Sequence, residues 1–170
     1  MNVKKIGKNE HWSYTIMGNW IALDYYDDFF YFCSSAKTNE ETQRIRNQEL
    51  RIKEFWKVLI DRCYDKLIDF VENKGSRLVY LVLGFFLMEY GGRMTKEVKE
   101  KILEYSQWKY EIHQFKSESE KELRKKYLSE YRDKVHNYKD GIYTVVSKET
   151  LEDVYQKHGP FDLTPIDYSI

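Results

Sequence analysis

Asp24, Asp27 and Asp28 stand at i, i+3 and i+4 in the run DYYDDFFYFCSSA. On a helix this spacing puts three carboxylates on one face, where they could hold Mg²⁺ or serve as an acid–base pair. No second constellation supports such chemistry. The four histidines, His11, His113, His136 and His158, are never at i, i+4 from one another or from a cysteine, so no HExxH-type metal helix is present. The chain contains no GxGxxG, P-loop or GxSxG pattern. Cys33 and Cys63 fall on apolar faces, which predicts inert core thiols. The sequence thus points to no catalytic residue, no metal ligand and no cofactor, and leans away from an enzyme. A small enzyme with a scattered acidic site, Mg²⁺-dependent in one version, stays open as an alternative.

The same carboxylates have two other uses. At a helix start near Asp24, capping and the helix dipole alone would select aspartate. In an interface, Asp24, Asp27 and Asp28 could meet a partner's Arg or Lys while Tyr25 and Tyr26 supply desolvated area. These five residues are the candidate partner-binding set. The i, i+4 pairs Tyr25/Phe29 and Tyr26/Phe30 make two adjacent stripes aromatic, which implies deep burial or a partner.

The elements that must position these residues are helical. Only 2 Pro and 8 Gly interrupt 170 residues, and long charged side chains are abundant. Ile52, Phe55, Trp56, Leu59, Ile60, Cys63, Leu67 and Ile68 mark one face of a helix expected to run from about Glu40 to Asn73, closed by Gly75. LVYLVLGFFLM at 78–88 is apolar all round but too short for a bilayer, which takes about 20 residues, so it predicts a buried central helix. Its Gly84 would admit a close neighbour, and Gly91-Gly92 would end it. Thr95 caps the next helix, and either Ser117 or Ser119 opens a capping box for another. Ile142 to Val146 is the one β-like run, and Ser147 with Glu149 opens a last short helix closed by Gly159-Pro160. The expected fold is mainly α: a single-domain bundle (1–170) of five or six helices around 78–88, with at most one small β element near 142–146. Residues 1–17 read as a loosely attached arm and 159–170 as an irregular tail.

Composition narrows the function. The 28 Lys and Arg balance 28 Asp and Glu, and the basic spot LRKKY at 123–127 reads as a solvated helix face, so nucleic acid is not the expected partner. Two cysteines cannot build a disulfide scaffold. The start MNVKKIGKNEHW has basic residues with no apolar run behind them, unlike a secretory signal, and the expected location is cytoplasmic. The 15 Tyr, 9 Phe and 4 Trp supply more aromatic surface than a small core needs, and such residues anchor interfaces.

GNWIALDYYDDFFYF resembles the N-terminal signature of a small bacterial family of uncharacterised helical proteins. Gly18 and Trp20 match its Gly-x-Trp, and Asp27, Asp28 and Phe29 fall near its Asp-x-x-x-Asp-Phe stretch. SRLVYLVLGFFLMEYGGRMTKEVKEKIL has the family's shape of apolar helix, Gly turn and Thr-led helix, although Tyr80, Phe85 and Phe86 replace its small residues. The resemblance spans Gly18 to Tyr105 and implies a bacterial cytosolic helical domain. The residues themselves favour a non-enzymatic protein-binding module, an immunity or inhibitor protein that blocks a toxin or a host or phage factor. A homo-oligomeric structural subunit is the remaining alternative.

Overall fold

Ser76 and Gly91 bracket the helix on which the rest of the chain packs. The Ser76 hydroxyl accepts the Leu78 amide at 3.2 Å, and Gly91 turns the chain out in the left-handed region at φ 65°. Between them, every residue from Arg77 to Met88 is buried. The computed structural model describes residues 11–158 and 164–170, and in it the chain is mainly α. The helices are α1 (Trp20–Ser35), α2 (Asn39–Arg46), α3 (Ile52–Glu72), α4 (Arg77–Tyr90), α5 (Lys96–Tyr105), α6 (Glu118–Asn137) and α7 (Leu151–His158), with a 3₁₀ turn at Trp108–Tyr110. That is one α-helix more than the upper sequence-based count, because the long helix expected from Glu40 is two.

The break has a local cause. Beyond Arg46 the Glu49 and Leu50 amides fold back to the Arg44 carbonyl at 2.9 and 3.3 Å, and Gln48 takes φ 60°. Such a reversal ends a helix because the last carbonyls are satisfied by amides that have left the helical path. Thr38 and Glu41 form a reciprocal capping box at the other end of α2. Arg62 then grips the Glu41 carboxylate with both terminal nitrogens, at 2.5 and 2.8 Å, folding α2 against α3.

The inner face of α3 is the expected one: Trp56, Leu59, Ile60, Cys63 and Leu67 are buried. α1, α3 and α5 pack directly on α4, and α6 lies on α5. Gly84 is where α6 reaches the centre. A Cβ there would fall on the Tyr131 hydroxyl and lie 3.2 Å from Ile102, so only glycine leaves room. That hydroxyl donates to the Leu81 carbonyl at 2.7 Å, and Tyr138 donates to the Leu87 carbonyl at 3.1 Å. Part of the tyrosine surplus is therefore structural: the Tyr131 and Tyr138 rings fill the core while their hydroxyls find α4 carbonyls.

Thr95 and Ser117 cap α5 and α6 by accepting the Val98 and Glu120 amides. α7 is opened by Thr150 rather than Ser147, in a reciprocal pair with Asp153 at 3.1 Å in both directions. The expected Gly159-Pro160 stop lies outside the described residues. The β element allowed at 142–146 does not form: the segment carries no regular secondary structure, no second strand lies beside it among the described residues, and a strand needs a ladder. Its amides and carbonyls go elsewhere, with Thr144 N donating to the Met88 carbonyl at 2.8 Å and Lys134 donating to the Val145 carbonyl.

Candidate functional site

α1 begins four residues before its expected start. Asn19 is the cap, its side-chain oxygen accepting the Ala22 amide at 2.7 Å. Asp24 therefore caps nothing, and Asp24, Asp27 and Asp28 lie in the second and third turns, beyond the reach of the dipole at the first turn. All three are exposed and, among the described residues, make no hydrogen bond or ion pair. Trp20, Asp24, Asp27, Asp28, Tyr31 and Ser35, spaced 4, 3, 1, 3 and 4, form one continuous outward stripe. Trp20 and Tyr31 expose 40% and 68% of their surfaces, so a partly exposed ring flanks each end of the carboxylates, Trp20 resting edge-on against Trp12.

Tyr25 and Tyr26 are placed differently from the aspartates. Tyr25 is half-buried with its ring edge-on to Phe70 of α3. Tyr26 packs edge-on against Phe85 and Phe86 of α4. Its hydroxyl donates to Glu89 at 2.9 Å and pairs with the Tyr90 hydroxyl at 2.8 Å. Burial, that bond and the Glu89 charge all push the Tyr26 phenol well above its ordinary range. The two tyrosines hold α1 down, and the aromatic members of its outer face are Trp20 and Tyr31, with Phe30 at its edge against Trp56. Helical spacing from Trp20 would have separated the two sets; setting the start at Asp24 hid the stripe.

A second constellation was not legible in the sequence. Arg124 of α6 and Glu111, just after the 3₁₀ turn, are both fully buried and joined by two bonds: Nε to Oε2 at 2.7 Å and Nη2 to Oε1 at 3.0 Å. Arg77, also buried, brings Nη1 to 3.6 Å from the same carboxylate. Its guanidinium lies over the rings of Tyr110 and Tyr168 and donates to the Tyr105 and Asp167 carbonyls at 3.1 and 2.7 Å. Arg124 Nη2 also donates to the Tyr168 hydroxyl at 2.9 Å, and Nη1 to the Tyr14 carbonyl at 3.0 Å. LRKKY is thus not uniformly a solvated face: Lys125 and Lys126 are exposed, Arg124 is core.

His11 completes this network. Its Nδ1 lies 3.1 Å from the Ser13 carbonyl and so carries the proton, leaving Nε2 to accept from the Tyr168 hydroxyl at 2.8 Å and Asn19 Nδ2 at 2.9 Å. Burial, seconded by the Arg124 charge, lowers the imidazole pKa to about 3, and it is neutral at pH 7. Within the expected arm, residues 11–17 are therefore firmly held; the arm's first ten residues lie outside the described ones. The end of the expected tail is held too, since Arg77 N donates to the Tyr168 carbonyl at 2.7 Å and Asp167 exchanges two bonds with Gln114. Closed to solvent and with its charges committed to one another, this cluster fastens residues 11–19 and 164–170 to the bundle.

A groove of about 360 Å³ lies between α3 and α5, with Asp65, Asp69, Glu72 and Glu97 at its margin. Its two rings are already covered by cations of the chain: Arg93 over Tyr64 and Lys101 over Tyr80. Among the described residues, no three His, Cys, Asp or Glu are placed to share a metal ion, and no helix is long and apolar enough to cross a membrane. No protein-family model, curated protein or solved structure matches the chain.

Proposed function

We propose that this chain is a non-enzymatic protein-binding module of immunity or inhibitor type, bacterial or phage in origin, whose outer α1 stripe receives the basic surface of a protein partner. The observation that carries this reading is the set of three aspartates in mid-helix without a counter-charge among the described residues. Aspartate is a poor helix former, and Asp24 repels both Asp27 and Asp28 at i+3 and i+4. Neither a cap nor a bond to another described residue explains their position. Trp20 and Tyr31 add amphipathic rings of the kind that anchor interfaces.

The test is co-purification of the untagged products of neighbouring reading frames with the wild-type chain and with the Asp27→Asn/Asp28→Asn variant. A partner should bind the wild type and lose about 2–5 kcal/mol of affinity to the variant, the usual cost of leaving one side of a desolvated ion pair without its mate. Equal binding by both chains would move the interface elsewhere, and self-association alone would favour a structural homo-oligomer.

A further inference from the structure

Cys33 of α1 and Cys63 of α3 were expected to be inert, and each is buried, but their Sγ atoms lie 2.7 Å apart. Both are free thiols. The helices that carry them pack along each other, so the pair is held by the core rather than by a loop. The distance argues against a shared metal, since two thiolates on one zinc, each at about 2.3 Å, sit roughly 3.7 Å from one another. It suits two sulfurs that need only a short approach to reach a bond of about 2.05 Å.

We infer that Cys33 and Cys63 are an oxidative modification site, a dithiol that closes to an intramolecular disulfide tying α1 to α3 when it meets a peroxide. Cys63, 5% exposed, is the sulfur nearer to solution; Cys33 has no exposed surface. The Cys63 thiol reaches toward the Ile60 carbonyl at 3.7 Å, which leaves Cys33 as donor to Cys63. That hydrogen bond holds the Cys63 thiol below its usual range and pushes Cys33 up. The Cys63 thiol first gives its proton to water; its thiolate then attacks one oxygen of hydrogen peroxide, the O–O bond breaks, and the hydroxide released takes up an equivalent proton from solvent and leaves as water. Cys33 sulfur then attacks the Cys63 sulfenic sulfur, the S–S bond forms, and the hydroxyl departs with the Cys33 proton as a second water. Two thiols lose two electrons and two protons, and one peroxide becomes two waters.

The full-length protein, reduced and then exposed natively to hydrogen peroxide, should lose two hydrogens by intact mass. After denaturation it should offer no thiol to maleimide, and digestion should yield one cross-linked peptide containing residues 33 and 63. Melting should rise by roughly 5–10 °C in the oxidised form and return with dithiothreitol, as expected for a cross-link across a loop of this length. The Cys33→Ser variant should keep oxygen on Cys63 instead of closing. Two alkylatable thiols after peroxide, or oxygen added to sulfur in the wild type without a cross-link, would overturn the inference.

Discussion

The outer stripe of α1 and the cluster around Glu111 both gather charge, and they treat it in opposite ways. At Glu111 two arginines and one carboxylate are buried with their polar atoms committed: to one another, to the Tyr14, Tyr105 and Asp167 carbonyls, and to Tyr168. On α1 three carboxylates face water with no partner among the described residues. Desolvated charge is tolerated only when paired, so the first arrangement reports on folding. Solvated charge needs no partner, and a helix gains nothing by placing three aspartates there, so the second is open to an outside ligand. Charge density alone would have ranked the two alike; burial and pairing separate them.

The comparison is tested most severely at its buried end. Replacing Glu111 by Ala leaves Arg124 and Arg77 facing each other without a carboxylate, and should cost about 3–5 kcal/mol of stability in urea unfolding. A loss below about 1 kcal/mol would mean that the arginines find water or other partners and that the cluster does not fasten the ends of the chain.

How far each region was readable follows from the range of its determinants. The buried face of α3, the α4 core and the Gly84 contact are carried by local periodicity and by a missing side chain, and these were legible. The break at Gln48 was not, because NEETQRIRNQEL keeps helical composition through the reversal and no glycine marks it. The Glu111 cluster joins residues as far apart as His11 and Tyr168, and nothing local distinguishes Arg124 from Lys125 and Lys126 beside it. Spacing helps only afterwards: Arg124, Leu128, Tyr131 and Val135 share one buried face of α6, so an arginine on an apolar stripe was the available signal. The thiol pair was hidden for the same reason, each cysteine looking like a small apolar residue on its own helix.

A smaller effect should come from pH. His11 is neutral in the fold and keeps its pKa near 3, whereas the unfolded chain takes up the proton near 6.5. Below 6.5 the unfolded state therefore binds more protons, and stability falls as pH falls, by about 1.4 kcal/mol per unit toward the folded pKa. The contribution is complete above 6.5. Groups facing the ring are Arg124 and Tyr168; the arginine stays charged and the phenol neutral throughout this window, so the slope belongs to His11. Chemical unfolding at pH 6.5 and 5.5 should show a loss of about 1 kcal/mol in the wild type, since the unfolded imidazole is half protonated at about 6.5, and a smaller loss in His11→Gln. Identical slopes would show that the imidazole is not the buried neutral acceptor described above.

The smallest expected effect tests the exposed end. Asp27→Asn/Asp28→Asn removes two repulsions with Asp24, each worth about 0.2–0.5 kcal/mol, and changes helix propensity little. Because Asn19 caps α1 and none of the three aspartates bonds to another described residue, no described contact is lost in exchange. Stability should stay level or rise by up to about 1 kcal/mol, which for a chain of 170 residues moves melting upward by roughly 2–4 °C at most. The sign matters more than the size. A cap or a hidden ion pair would make the variant less stable, typically by about 0.5–2 kcal/mol, and the aspartates would then be structural after all. A variant as stable as the wild type, or more so, leaves these carboxylates with no role inside the fold. Any loss of partner binding in the same variant then has to be assigned to the surface itself and not to a loosened helix.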